Sequence, residues 1–164
     1  MLKIVSGGQT GVDRAALDAA IEKGIAYWGW CPRNGWAEDF VTPPGLLALY
    51  PGLQETPAAD PRKRTEWNVR DSDALLVLTE SAGPGVSQGT ERAIRCAKMF
   101  AKPYLVVDLN SLGALAEARA WLAARGDGAL CIAGPRESEA PGIYAQALTL
   151  LRALLDAIVA QKVD

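Results

Sequence analysis

The sequence predicts one α/β domain with a doubly wound, mostly parallel sheet and helices on both faces. Short apolar runs, typical of strands, alternate along the chain with longer segments of helical periodicity. The runs at residues 74–79 and 104–108 are apolar almost throughout, as expected for parallel strands that are buried on both faces. The chain has 164 residues, of which 49% are hydrophobic, so one core is expected and two are not.

The first half of the chain begins with a strand at residues 2–6 and a helix at 12–23, followed by a second strand at 25–31. The helix carries small side chains that suit close packing on a sheet: Ala15, Ala16, Ala19 and Ala20. Residues 33–61 do not fit this alternation, because they are rich in proline and glycine and form a segment longer than a usual connection. We expect an irregular excursion there that serves as a lid or a subunit contact.

The second half of the chain continues the alternation. Strands are predicted at residues 74–79, 104–108 and 129–133, and helices at 90–101, 111–125 and 143–161. The last helix is amphipathic, with one apolar face formed by Ile143, Leu151, Leu154, Leu155 and Ile158. Strands that alternate with helices in this way favour a single parallel sheet wound on both sides.

Composition excludes several classes of function. The net charge of −2 and the sequence pI of about 5.2 favour neither nucleic acid nor an anionic membrane as a partner. The chain contains no histidine, which removes Ser-His-Asp and Cys-His catalysis and histidine metal ligands. The start of the sequence lacks the basic and long apolar segments of a signal peptide, so we expect a cytoplasmic protein.

A glycine-rich loop between the first strand and the first helix is the strongest candidate site. It comprises Ser6, Gly7, Gly8, Gln9, Thr10 and Gly11, and it matches G-x-G-x-x-G except for the serine at the first position. Gly8 would let the backbone approach a ligand, and the free amides at the helix start would attract an anion such as phosphate. Alternatively, Thr10 caps the helix, Asp13 completes a capping box, and the glycines serve only the turn.

Two common nucleotide-binding motifs are incomplete here. An NAD-binding domain needs an acidic residue at the end of the second strand, where this chain has Cys31, Pro32 and the cation Arg33. A Walker A loop needs Gly-Lys-Ser/Thr, whereas Val12 and Asp13 follow Gly11. We therefore disfavour a dehydrogenase and a P-loop protein, and include Arg33 among the candidate phosphate ligands.

A second glycine-rich loop, at residues 80–93, follows the third strand and contains Ser87, Gly89 and Thr90. Loops at the carboxyl ends of neighbouring parallel strands face one crevice, so one phosphorylated ligand would be held between residues 6–11 and 84–90. A flexible connection capped by Thr90 is the alternative. Just before the third strand, Arg64 and Asn68 share one face of a predicted helix, which is either part of the site or an ordinary surface helix.

Taken together, four stretches resemble a known family. The sequences KIVSGGQTGVDRAALDAA, WGWCPRNGWAEDF, LQET and RTEWNVRDSDALLVL occur in this order, within residues 3–108. They resemble the family of putative molybdenum carriers, a circularly permuted YpsA-like branch of the SLOG superfamily of Rossmann-like nucleotide-binding proteins. The resemblance implies that residues 7–11 form the ligand loop, with Asp13 and Arg14 just behind it, and that Arg64 and Asn68 belong to the site. It also implies molybdenum cofactor as a possible cargo.

The same superfamily contains phosphoribohydrolases, which cleave the base from a nucleotide and resemble one another in a P-G-G-x-G-T-x-x-E loop. When that loop is aligned on Gly89 and Thr90, its catalytic glutamate falls on Ala93, and Glu91 is a weak substitute on another helical face. A binding or carrier protein is therefore favoured, with a nucleotide N-glycoside hydrolase as the alternative.

Metal binding and self-association complete the expectations. The three cysteines lie in separate predicted elements, so we expect no metal site built by the protein, with Cys31 as a weak candidate ligand. Trp28, Trp30, Trp36 and the proline-rich excursion supply apolar surface beyond the needs of a connection. We expect a homo-oligomer, a dimer or tetramer.

Overall fold

The computed structural model describes residues 1–80 and 87–160. Its centre is a six-stranded sheet in which every neighbouring pair of strands is parallel. The strands are β1 (Lys3–Val5), β2 (Tyr27–Cys31), β3 (Leu53–Glu55), β4 (Ala74–Thr79), β5 (Tyr104–Asp108) and β6 (Ala129–Ala133). Their order across the sheet is β3-β2-β1-β6-β4-β5. This architecture confirms the predicted Rossmann-like α/β fold.

Helices cover both faces of the sheet. They are α1 (Val12–Glu22), α2 (Leu46–Leu49), α3 (Pro61–Arg70), α4 (Gln88–Met99), α5 (Ala114–Ala123) and α6 (Ile143–Ala160). Because side chains alternate along a strand, Ile4 packs in a core with α1, α5 and α6, whereas Val5 packs in another core with α3 and α4. The covered faces explain why β4 is buried at all of its positions and apolar at every position before Thr79.

The direction in which successive strands are added changes at the middle of the sheet. From β1 it proceeds outward to β2 and β3, and from β4 it proceeds outward to β5 on the other side. The last strand, β6, then fills the space between β1 and β4 and pairs with both. Connections that follow β1, β4 and β6 therefore leave the sheet side by side at its carboxyl edge, where doubly wound sheets bind their ligands.

Residues 33–61, expected to be irregular, contribute to the sheet. They contain a 3-10 turn at Arg33–Gly35, the short α2 and the edge strand β3, which pairs with β2. Leu46, Tyr50 and Leu53 pack with Leu17 and Cys31 in a third, smaller core. The sequence pattern missed β3 because it has three residues, two of which are exposed.

Helix α6 is, within the described part of the chain, the one helix long and apolar enough to cross a membrane. Its apolar face is buried, however: Leu151, Leu154 and Leu155 are fully inaccessible and lie in the largest core with α1 and α5. We therefore interpret α6 as the core helix of a globular domain.

Candidate functional site

A cavity of about 350 Å³ lies at the carboxyl edge of the sheet. It is bordered by the loop after β1, the loop after β6, one side of α3 and the first two turns of α4. Its volume is within the usual range for small-molecule sites, roughly 300–1,000 Å³. The cavity thus lies at the topological switch point, where the strand order reverses and where a ligand is expected in this type of fold.

The cavity is rich in arginine although the protein is acidic. Four arginines line it, namely Arg62, Arg64, Arg92 and Arg136, together with three carboxylates, Asp13, Asp60 and Glu139. The first turn of α4 also lines it, through Ser87, Gln88, Gly89 and Thr90. Amides in the first turn of a helix lack acceptors within the helix, and the helix dipole makes that end positive. The arrangement favours an anionic ligand.

Arg64 is the most buried of these cations, with 8% of its surface exposed. Its Nη1 lies 2.8 Å from Oδ2 of the buried Asp13, and its Nε is buried without a hydrogen-bond partner among the described residues. Burial raises the pKa of Asp13, although the Arg64 guanidinium opposes the shift. A buried N–H without an acceptor costs free energy. Because the Arg64 side chain lines the cavity, its guanidinium group can offer charged hydrogen bonds to a ligand there.

Gly7 lines the cavity, and the Arg64 side chain passes directly beside it. A Cβ added at Gly7 would lie 2.0 Å from Nη1 of Arg64, much closer than two non-bonded atoms can approach. Glycine is therefore required here to make room for the arginine. The first glycine of the loop has a steric role that the motif alone does not indicate.

The other two glycines of the loop pack against protein atoms. A Cβ at Gly8 would face the side chains of Leu53, Leu46 and Leu17, at 3.1–3.3 Å, in the third core. At Gly11 it would lie 2.3 Å from the backbone oxygen of Pro135. Both residues have positive φ angles, 70° and 78°, which favour glycine independently of the space available.

The start of α1, which follows this loop, is also covered by protein atoms. Gly11 is the N-cap of α1 and no side chain caps the helix, so the alternative interpretation, in which Thr10 caps the helix, is wrong. The Val12 amide donates to the backbone oxygen of Pro135 at 3.3 Å, and the Gly134 amide donates to the Asp13 carboxylate. The loop after β6 therefore covers the start of α1, and the helix starts that line the cavity are those of α3 and α4.

Polar side chains of the first loop connect it to residues 33–61. Oε1 of Gln9, which lines the cavity, accepts hydrogen bonds from the Thr10 and Glu38 amides, both at 3.0 Å. The Thr10 hydroxyl donates to the Glu38 carboxylate, which also accepts from the Ser138 hydroxyl at 2.7 Å. Partial burial raises the pKa of Glu38, but these hydrogen bonds outweigh it and lower the pKa overall.

Arg14 and Ser6 support the loop from behind, outside the cavity lining. Arg14 Nε donates to the Gly8 oxygen at 2.9 Å, and its two terminal nitrogens bind both oxygens of Asp39 at 2.9 Å. The Ser6 hydroxyl donates to the Asp13 backbone oxygen at 2.9 Å. The hydrogen bonds of both side chains therefore hold the loop in shape.

Asn68 and Ser87 line the cavity, as does Thr90. Asn68 joins α3 to β2, because its side chain accepts from the Trp30 amide at 2.7 Å and donates to the Trp30 oxygen at 2.9 Å. Ser87 is the N-cap of α4 and accepts from the Thr90 amide at 3.3 Å. These residues fix the two helices whose first turns border the site.

Ser6, Gly8, Thr10, Gly11 and Arg14 are not part of the cavity lining, and three further candidate residues also lie away from it. Arg33 is exposed, and Glu91 is exposed on α4, whereas Ala93 lines the cavity. Cys31 is buried in the third core, where burial raises the pKa of its thiol to about 11. Residues 84–86 of the predicted second loop lie outside the described residues. No group of three or more His, Cys, Asp or Glu side chains suited to a metal ion occurs within the described ranges.

Sequence reasoning missed the part of the cavity that is formed by the loop after β6. Arg136 and Glu139 lie in the loop after β6, and Arg62 and Arg92 flank the predicted Arg64 and Thr90. A glycine-containing connection after a buried strand, here Gly134 and Pro135, is a weak signal for such a loop. Its importance follows only from the position of β6 between β1 and β4.

Comparison with known proteins identifies the family and agrees with the fold. Residues 4–155 match the model of the circularly permutated YpsA SLOG family. The chain belongs to this family. Among solved structures, one named putative molybdenum carrier protein, from Syntrophus aciditrophicus SB, is 38% identical to this chain in sequence, with a TM-score of 0.82. The similarity covers 94% of this chain and 95% of that one. No curated protein matches the chain.

Proposed function

We propose that this protein is a binding or carrier protein for a phosphate-bearing small molecule, either molybdenum cofactor or a nucleotide-like ligand. The phosphate would occupy the cavity beside Arg64 and the first turn of α4, with Arg92 as a further cation. The observation that carries the proposal is the buried Arg64. This side chain lines the cavity, and its Nε has no hydrogen-bond partner among the described residues. Guanidinium groups and helix amides are the donors that phosphate oxygens prefer.

Two further features support a binding role. Asp13 is paired with Arg64 and Asp60 with Arg62, so two of the three cavity carboxylates are already engaged. Ala93 lines the cavity at the position that aligns with the hydrolase glutamate. The relative's name mentions molybdenum, and the cofactor's phosphate has the chemistry that these donors would bind.

Arg92 and Arg95 offer a matched test on one helix. Arg92 lines the cavity and is half-buried, whereas Arg95 lies less than one turn further along α4, is exposed and does not line it. We expect pyrophosphate and AMP to bind in calorimetric titrations. Arg92→Gln should weaken both by about tenfold, since a hydrogen bond to a charged group contributes roughly 1.5–3 kcal/mol, while Arg95→Gln should have little effect.

The alternative, a nucleotide N-glycoside hydrolase, is tested in the same samples. Incubation with AMP should release no free adenine at enzymatic rates, as measured by chromatography. Release that is lost in Glu91→Gln would favour the hydrolase. Absence of binding by pyrophosphate and by AMP, or equal losses in Arg92→Gln and Arg95→Gln, would contradict the proposed site.

A further inference from the structure

The three carboxylates that line the cavity differ in what they already bind. Asp13 accepts from Arg64 Nη1 at 2.8 Å, and Asp60 accepts from the Arg62 side chain through both of its oxygens. Glu139 has no ion pair among the described residues. It is therefore the cavity carboxylate that retains the capacity to bind a ligand.

The position of Glu139 is fixed by its own loop. Its Oε2 accepts from the Arg136 amide at 3.2 Å, and its amide donates to the Arg136 oxygen at 3.1 Å. Its Oε1 has no hydrogen-bond partner within residues 1–80 and 87–160. Glu139 thus lines the cavity from the loop after β6 with one carboxylate oxygen unbound, while Arg64 and Arg92 line it from α3 and α4.

A carboxylate in an anion-binding cavity constrains the ligand's orientation. It repels phosphate, so the part of the ligand that meets Glu139 should carry hydrogen-bond donors and no negative charge. We propose that Glu139 is a specificity-determining residue, which accepts hydrogen bonds from the neutral end of the phosphorylated ligand. This inference rests on the proposed function, to which it adds the chemistry of the second half of the ligand.

Two groups on phosphorylated ligands supply such donors. Ribose offers its 2′- and 3′-hydroxyls, which acidic residues bind in many dinucleotide sites. Guanine and pterin rings offer a ring N–H beside an exocyclic amino group. Matched ligands separate the two: AMP and 2′-deoxy-AMP differ in one ribose hydroxyl, and GMP and IMP differ in the amino group of the base.

Titration of these four nucleotides into the wild-type protein and Glu139→Gln tests the proposal. Glutamine keeps the size of the exposed side chain but presents a neutral amide, so the fold should be retained. We expect at least one matched pair to differ by about tenfold or more in wild type, and by less than about threefold in Glu139→Gln. Pyrophosphate should bind the variant at least as tightly, because a negative charge is removed. Glu117→Gln is the control: Glu117 is exposed on α5 and is not part of the cavity lining, so this variant should keep the discrimination.

Each other outcome has a defined meaning. Equal affinities within both pairs in wild type, or discrimination that persists in Glu139→Gln, would overturn the role of Glu139. Binding of pyrophosphate without binding of any nucleotide would also overturn it, while the anion site would stand. Failure of pyrophosphate and of all four nucleotides to bind would refute the proposed function itself.

Discussion

Replacement of Arg64 by methionine should destabilise the protein strongly and in a pH-dependent way. Asp13 and Arg64 are both buried, with 6% and 8% of their surfaces exposed, and their atoms meet at 2.8 Å. Removal of one partner from a buried ion pair leaves an uncompensated charge, which costs about 3–5 kcal/mol. For a domain of this size each kcal/mol lowers Tm by roughly 2–4 °C, so we expect a decrease of about 6–20 °C.

The sign of the pH dependence follows from the raised pKa of Asp13. Its carboxyl ordinarily titrates near 3.8, and burial raises the native value. Between the two values the native state binds more protons than the unfolded chain, so stability falls as pH rises through this window. Loss of the Arg64 charge raises the native pKa further, so Arg64→Met should recover part of its lost stability when the pH is lowered from 7 to 5.

Thermal melts at pH 5 and pH 7 test both expectations. Arg62→Met is the matched control: Arg62 is exposed on the same helix and paired with Asp60 at the surface, so its loss should leave Tm nearly unchanged. The double variant Arg64→Met, Asp13→Asn should be more stable than Arg64→Met alone. If Arg64→Met melts like Arg62→Met, or shows no gain at pH 5 relative to wild type, the assignment of a buried ionised pair is wrong.

Three further predictions concern the loop, metal and association. Gly7→Ala should displace Arg64 and weaken pyrophosphate binding by about tenfold in calorimetric titrations. Gly89→Ala, whose added Cβ meets no atom within 4 Å, should retain the fold, as circular dichroism would show. The apo-protein should take up little molybdate or zinc in equilibrium dialysis, since the buried Cys31 thiol has a pKa raised to about 11; stoichiometric uptake abolished by Cys31→Ser would contradict this. Light scattering should give a mass above the 17.4 kDa monomer; 17.4 kDa at all concentrations would exclude an oligomer.

The sheet could be predicted because its strands carry strong local signals. β4 is six consecutive buried residues, and α1 combines small residues with helical spacing. β3 has no such signal, because two of its three residues are exposed and it pairs only through its backbone with β2. Its existence depends on tertiary pairing, which a single sequence does not express.

The site was only partly accessible to sequence reasoning. Arg64 and Thr90 could be proposed from their positions before β4 and at the start of α4. The role of Gly7 could not, because it depends on an arginine 57 positions away whose Nη1 occupies the space of a side chain. Glu139 could not either, since its loop reaches the cavity only because β6 inserts between β1 and β4.

A crystal structure of the protein grown with AMP tests the central claim most directly. We predict that a phosphate oxygen lies within about 3.2 Å of a guanidinium nitrogen of Arg64, with further contacts to the first-turn amides of α4 and to Arg92. A phosphate bound outside the cavity, or bound in it without contact to Arg64, would contradict the assignment of Arg64 as the main anchor of the ligand.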